Sequence, residues 1–74
     1  MEFDYSKLKG RIVEKLGSNT KFAVAMGWSE RTTSLKLNNK SVWTQIDIMK
    51  AAELLEIEDC EFQEYFFKRK VKDV

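Results

Sequence analysis

The sequence predicts an all-α bundle of about five helices, and three observations carry that prediction. Apolar residues recur every three or four positions through most of the 74 residues. Pro is absent, and Gly17 and Gly27 fall where helical patterns stop. No strand pattern competes: the alternation Phe3-Asp4-Tyr5 is too short, and Val42-Trp43 is bounded by capping residues.

The first helix is expected from about Ser6 to Leu16, with Leu8, Ile12, Val13 and Leu16 on its apolar face and Asp4 or Ser6 capping its start. Gly17 suits a left-handed cap. Gly10 lies inside this helix at a cost of up to about 1 kcal/mol against Ala, either as a tolerated defect or to admit a neighbouring backbone. The second helix runs from about Asn19 to Met26, capped by Ser18, with Phe22, Ala23 and Met26 inward. Gly27 supplies a sharp turn, and Ser29 caps a third helix from Glu30 to about Asn38. Thr33 and Leu37 face inward with Trp28, leaving Arg31, Ser34, Leu35 and Asn38 on the other side. Asn38-Asn39 ends this helix, because Asn tolerates the left-handed region. A fourth helix starts at its cap Thr44 and ends near Glu56, with Ile48, Met49, Ala51, Ala52 and Leu55 apolar and Trp43 stapled onto Ile48. A short fifth helix, about Glu61 to Phe67, brings Phe62, Tyr65 and Phe66 to the core. One domain over residues 1–67 is expected, followed by a frayed basic tail over 68–74.

Two short helices joined by a tight turn, Phe22 to Asn38, form the helix-turn-helix arrangement, whose second helix enters the DNA major groove. Net charge is only +1, but its distribution is uneven. Residues 1–40 carry Lys7, Lys9, Arg11, Lys15, Lys21, Arg31, Lys36 and Lys40 against Glu2, Asp4, Glu14 and Glu30. Residues 46–64 carry Asp47, Glu53, Glu56, Glu58, Asp59, Glu61 and Glu64 against Lys50. One basic side and one acidic side are therefore expected, the basic one suited to phosphates.

Enzymatic chemistry finds no inventory. His is absent, removing the commonest general base and metal ligand. Cys60 stands alone, so it has neither a disulfide partner nor a histidine to activate it. There is no glycine-rich phosphate loop, and the acids from Glu53 to Glu64 lack a calcium loop's spacing and central Gly. No cofactor is expected. An unpaired cysteine, no secretory signal and no apolar run near the roughly 20 residues of a membrane span fit the cytoplasm.

The run Phe22 to Asn38, with Ala23, Gly27, Ser29 and Leu37-Asn38, resembles the helix-turn-helix family of temperate-phage repressors and Cro proteins, the lambda-repressor-like fold. Phe3 to Ile12 and Tyr65-Phe66-Phe67 resemble short phage-encoded Cro-like regulators, extending the likeness over nearly the whole chain. Asn39 departs from the family's Gly, Thr33 from an aliphatic residue, and Asn19 from Gln. Ile12 and Leu37 align where many relatives carry a buried Arg–Glu pair.

The resemblance implies sequence-specific binding to a phage operator as a transcriptional repressor. Glu30, Arg31, Ser34 and Leu35 would then meet base edges. Arg31 leads because a guanidinium pairs with guanine O6 and N7. Glu30 would accept from a cytosine amino group, and Leu35 would meet a thymine methyl. Asn19, Lys21, Thr32, Lys36, Asn38, Lys40 and Thr44 would contact phosphates. Paired half-sites imply a homodimer at least on DNA; one part of the Tyr65-Phe66-Phe67 segment is expected to pack on the core, and the remainder is a candidate for the dimer contact. Trp28, Trp43, Phe22 and Phe62 fall at core spacing, not as a stacking platform for single strands. A second reading is a protein-interaction module, such as an antirepressor, working through the acidic face of the fourth and fifth helices.

Overall fold

The computed structural model describes residues 2–70 and is an all-α bundle. Its helices are α1 (Ser6–Leu16), α2 (Asn19–Met26), α3 (Glu30–Leu37), α4 (Gln45–Leu55) and α5 (Phe62–Phe66), the last preceded by a 3-10 turn at Asp59–Glu61. Helix α1 packs on α2, α4 and α5, and α2 also touches α3 and α4.

Capping chemistry sets the boundaries. The Asp4 carboxylate accepts from the Ser6 N–H and hydroxyl at 2.9 and 2.6 Å, which opens α1. Ser18, Ser29 and Thr44 each accept from the backbone N–H three residues on. At Thr44 the bond is reciprocated by the Asp47 carboxylate, closing a capping box. Gly17 and Gly27 take the positive φ values, +94° and +77°, that end α1 and α2. Glu56 ends α4 in the left-handed region at φ +55°. Arg11 reaches across from α1 to donate to the Leu55 and Glu56 carbonyls at 2.9 and 3.2 Å. That contact satisfies the end of α4 and draws α1 onto it.

The core joins Leu8 and Ile12 of α1, Phe22 and Met26 of α2, Leu37 of α3, Ala51, Ala52 and Leu55 of α4, and Tyr65 and Phe66 of α5. Trp43 is the hub of an aromatic chain, with Tyr5, Trp28 and Phe66 at centroid distances of 5.9, 5.4 and 5.5 Å. Its indole N–H donates to the Lys36 carbonyl at 3.0 Å, so the loop before α4 is fastened to the end of α3. Thr33 fits a buried position because its hydroxyl donates to the Ser29 carbonyl at 3.0 Å.

Several expectations are corrected. Nothing lies within 4 Å of a Cβ built on Gly10, so no backbone approaches there. Met49 points outward, because inward positions on α4 fall at Ile48, Ala51, Ala52 and Leu55. Helix α3 stops at Leu37, and Asn38 serves as its cap. The first residues of the basic tail are paired with the N-terminal segment. The Lys68 carbonyl accepts from the Asp4 N–H at 2.6 Å, and the Lys70 N–H donates to the Glu2 carbonyl at 3.2 Å, around an antiparallel bridge between Phe3 and Arg69. Residues 71–74 of that tail lie outside the described residues.

The other edge of residue 3 is held as firmly. The Asn39 side chain accepts from the Phe3 N–H and donates to its carbonyl, both at 2.8 Å. Asn39 itself sits at φ +61°. Gly would adopt that turn freely but has no side chain with which to hold the N-terminal segment.

Candidate nucleic-acid interface

Helices α2 and α3 cross through the turn at residues 27–29. The Trp28 N–H donates to the Ala23 carbonyl at 2.9 Å, and Gly27 lets the chain reverse direction. Buried Ala23 lets the helices approach closely. Burying Thr33 and Leu37 turns the opposite side of α3 outward.

Arg31 and Ser34 lie on that outward side and are exposed. Arg31 makes no hydrogen bond or ion pair among the described residues. Leu35 is half-buried rather than free, and its carbonyl receives the Lys40 and Ser41 N–H groups at 2.8 and 3.2 Å. Glu30 is exposed, but its carboxylate accepts from the Thr20 hydroxyl at 2.9 Å, tying α3 to α2. To meet a cytosine amino group it would use its remaining acceptor capacity.

The residues expected at phosphates divide. Asn19, Lys21 and Lys40 are exposed, and no side-chain bond of theirs occurs among the described residues. Asn38 donates to the Ser34 carbonyl at 2.8 Å as a cap and accepts from Lys9 at 3.4 Å. Thr32 and Thr44 have hydroxyls engaged in capping, at Ser29 and Asp47 respectively. Lys36 is corrected outright as a free phosphate contact. Its ammonium donates to the Val42 carbonyl at 2.8 Å and the Asp47 carboxylate at 2.9 Å, and lies 5.1 Å from the Trp28 ring centre. Its side chain is only 11% exposed. Lys9 was absent from the sequence-derived set. It shares a shallow cleft with Asn19, Ser34 and Asn38, and only the fold, which brings Lys9 to Asn38, reveals this.

Charge is redistributed by pairing across the bundle. Lys7 is bound to Glu64, Lys15 to Glu56 at 3.0 Å, and Arg11 to Glu14 at 3.0 Å. The hydrogen bonds from Lys15 and Lys7 hold the Glu56 and Glu64 carboxyls below the ordinary carboxylate range. Two cations of α1, Lys7 and Lys15, therefore face acids of the C-terminal half. Lys9, Lys21, Arg31 and Lys40 have no ion-pair partner among the described residues. On the acidic side Glu53, Glu58 and Asp59 are exposed without a cation partner there, whereas Glu61 caps its own 3-10 turn.

Of the terminal aromatics, Tyr65 and Phe66 pack in the core, and Phe67 is left 39% exposed. Other large exposed apolar residues are Val13 on α1, Val24 on α2, and Val42 (83%), Ile46 (78%) and Met49 (56%) before and along α4.

These features define a small all-α bundle domain whose α2–turn–α3 unit presents an exposed, partly basic polar face. The chain belongs to the DUF739 family, described as proteins of unknown function, which matches residues 1–69. It is 50% identical to the modulator of repression (MOR) of the temperate bacteriophage TP901-1 from Lactococcus lactis. The solution structure of that protein matches with a TM-score of 0.81 over 97% of each chain. No curated protein matches the chain.

Proposed function

We propose that this chain is a phage regulator of repression that binds duplex DNA at operator sites as a Cro-like transcriptional repressor. One observation carries the reading: Arg31 stands exposed and unpartnered on the outward side of α3, beyond a tight turn from α2. In a helix-turn-helix the start of the second helix meets base edges, and a guanidinium there reads guanine. Ser34 and Leu35 flank it. Asn19, Lys21, Asn38 and Lys40, joined by Lys9, supply backbone contacts. Bound at or beside a promoter, the protein would block RNA polymerase without chemistry or cofactor, in the bacterial cytoplasm. The similarity to a modulator of phage repression supports the regulatory setting.

The test is selection from a random duplex pool. A two-fold consensus is expected, and Arg31→Ala should cost about 1–3 kcal/mol at one position of it. No enrichment at low salt would remove the reading. Two-fold sites call for two copies, and Val42, Ile46 and Met49, three exposed apolar residues before and along α4, are the surface we assign to that contact. Ile46→Asp should then abolish cooperative occupancy of paired half-sites while leaving single half-site binding intact. Unchanged cooperativity would discard that surface.

A second reading is favoured by the exposed acids Glu53, Glu58 and Asp59: an antirepressor that captures another regulator through a basic surface. Charge reversal at Glu53 or Asp59 would abolish capture of a repressor, and Arg31→Ala would not. Glu61 and Glu64 are poorer probes because their carboxylates bond within the fold.

A further inference from the structure

Residues 68–70 are held in a defined place by an unusual double fastening. Both polar groups of the Phe3 backbone on one edge are taken by the Asn39 side chain. The opposite edge of the same segment pairs with Lys68 and Lys70. Asn39 follows directly on α3 and its cap Asn38, and it precedes the exposed, unpaired Lys40. The chain of contacts therefore runs from the end of the base-reading helix, through Asn39 and Phe3, to Arg69. Adjacent extended segments lie about 4.8 Å apart, so Arg69 is one such spacing beyond Phe3.

This short basic segment is only partly neutralised by the fold, since Asp4 and Glu64 lie near enough to Lys68 to feel its charge. Lys70 lies 3.5 Å from the Glu2 carboxylate, but Lys68 and Arg69 are exposed and have no ion pair among the described residues. The geometry points to Lys68 and Arg69 as a second phosphate-contacting element, which extends the track begun by Lys40 along the DNA backbone. The inference rests on the DNA-binding reading above. Its physical logic is pre-organisation: a basic tail free in solution loses conformational entropy when it docks, and one already paired with the N-terminal segment loses far less. Asn39 is then a positioning residue. It acts on DNA through the strand it holds, while its own amide is spent on Phe3.

The experiment is equilibrium binding of the full chain to the selected duplex and to a scrambled duplex, over a series of salt concentrations. Each phosphate contact contributes about 0.9 to the slope of log K against log salt. Arg69→Ala should lower the slope by about 0.9, and Lys68→Ala with Arg69→Ala by about 1.8, on both duplexes. The selected consensus should not change. Asn39→Gly keeps the positive-φ turn and removes only the clip, so it should lower the slope part of the way. Circular dichroism should show α2 and α3 intact in all three variants. An unchanged slope in the double variant, with salt-dependent binding by the parent chain, overturns this inference and leaves the DNA reading standing. Failure of the parent chain to bind any duplex overturns both.

Discussion

Asp47 joins the capping of α4 to the end of α3, and its removal should cost more than a surface acid does. Its carboxylate accepts from the Thr44 N–H at 3.0 Å and the Lys36 ammonium at 2.9 Å. The side chains of Lys36 and Asp47 are only 11% and 18% exposed. Asp47→Ala breaks the capping box, worth about 1 kcal/mol. It also removes the one anion beside a largely buried ammonium, and a hydrogen bond between charged groups is worth about 1.5–3 kcal/mol. Lys36 keeps the Val42 carbonyl and the Trp28 ring, so the expected total is about 2.5–4 kcal/mol. A domain of this length has roughly 4–11 kcal/mol in all. Urea denaturation followed by tryptophan fluorescence measures the loss, since Trp28 lies against Lys36. A double-mutant cycle with Lys36→Met isolates the pair. A cost below about 1 kcal/mol, or a coupling below about 0.5 kcal/mol, would refute the reasoning.

The same carboxylate gives a pH signature. Burial pushes the Asp47 carboxyl up, but the bonds from the Thr44 backbone, Lys36 and the Thr44 side chain together outweigh it. They hold the group below the ordinary 3.8. The folded-state value thus lies below the unfolded one, and in acid the unfolded chain takes the proton first. The stabilisation is complete above the unfolded value and is lost as pH falls through the folded one. Asp47→Ala should therefore flatten the acid limb of the stability profile. Asp4, Glu56 and Glu64 are also held low, so part of that limb should survive.

Two glycines should respond in opposite directions. Gly10→Ala meets no atom within 4 Å and gains helix propensity, so it should stabilise by up to about 1 kcal/mol and raise the melting temperature by roughly 4–8 °C. Gly27→Ala also meets open space, but its φ of +77° should cost about 1–2 kcal/mol in a thermal melt. A neutral result there would mean that the turn relaxes to another conformation.

Much of the bundle was legible because its signals are local. Ser18, Ser29 and Thr44 cap where side-chain oxygens precede apolar periodicity, and Gly17 and Gly27 end helices where positive φ is required. What escaped is contact between distant segments. Nothing near Asn39 in sequence says that it binds the backbone of Phe3, 36 positions away. Lys36 reads as one more cation on a helix until the loop returns Val42 and Asp47 to it. Arg11 likewise reads as a basic surface residue, yet it satisfies carbonyls at the far end of α4. Met49 was misplaced because the inward stripe of α4 runs through Ile48, Ala51, Ala52 and Leu55, and position 49 falls outside it.

Charge shows most clearly why position outweighs composition. A net charge of +1 would make a poor polyanion ligand if it were spread evenly. In the folded chain Glu64 of α5 and Glu56, the cap of α4, engage Lys7 and Lys15 of α1. Those cations are thereby removed from any DNA contact, but so are two of the acids that would repel a phosphate backbone. Lys9, Lys21, Arg31 and Lys40 remain unpaired among the described residues, and Glu53, Glu58 and Asp59 remain on the acidic side. The two readings of function therefore draw on different, non-overlapping residues. Sites without shared partners act additively. If both activities belong to this chain, Arg31→Ala should relax operator choice at one position and spare capture of a repressor, and Glu53→Lys should abolish capture and spare operator choice. Loss of both activities from either substitution would mean that one surface serves both partners.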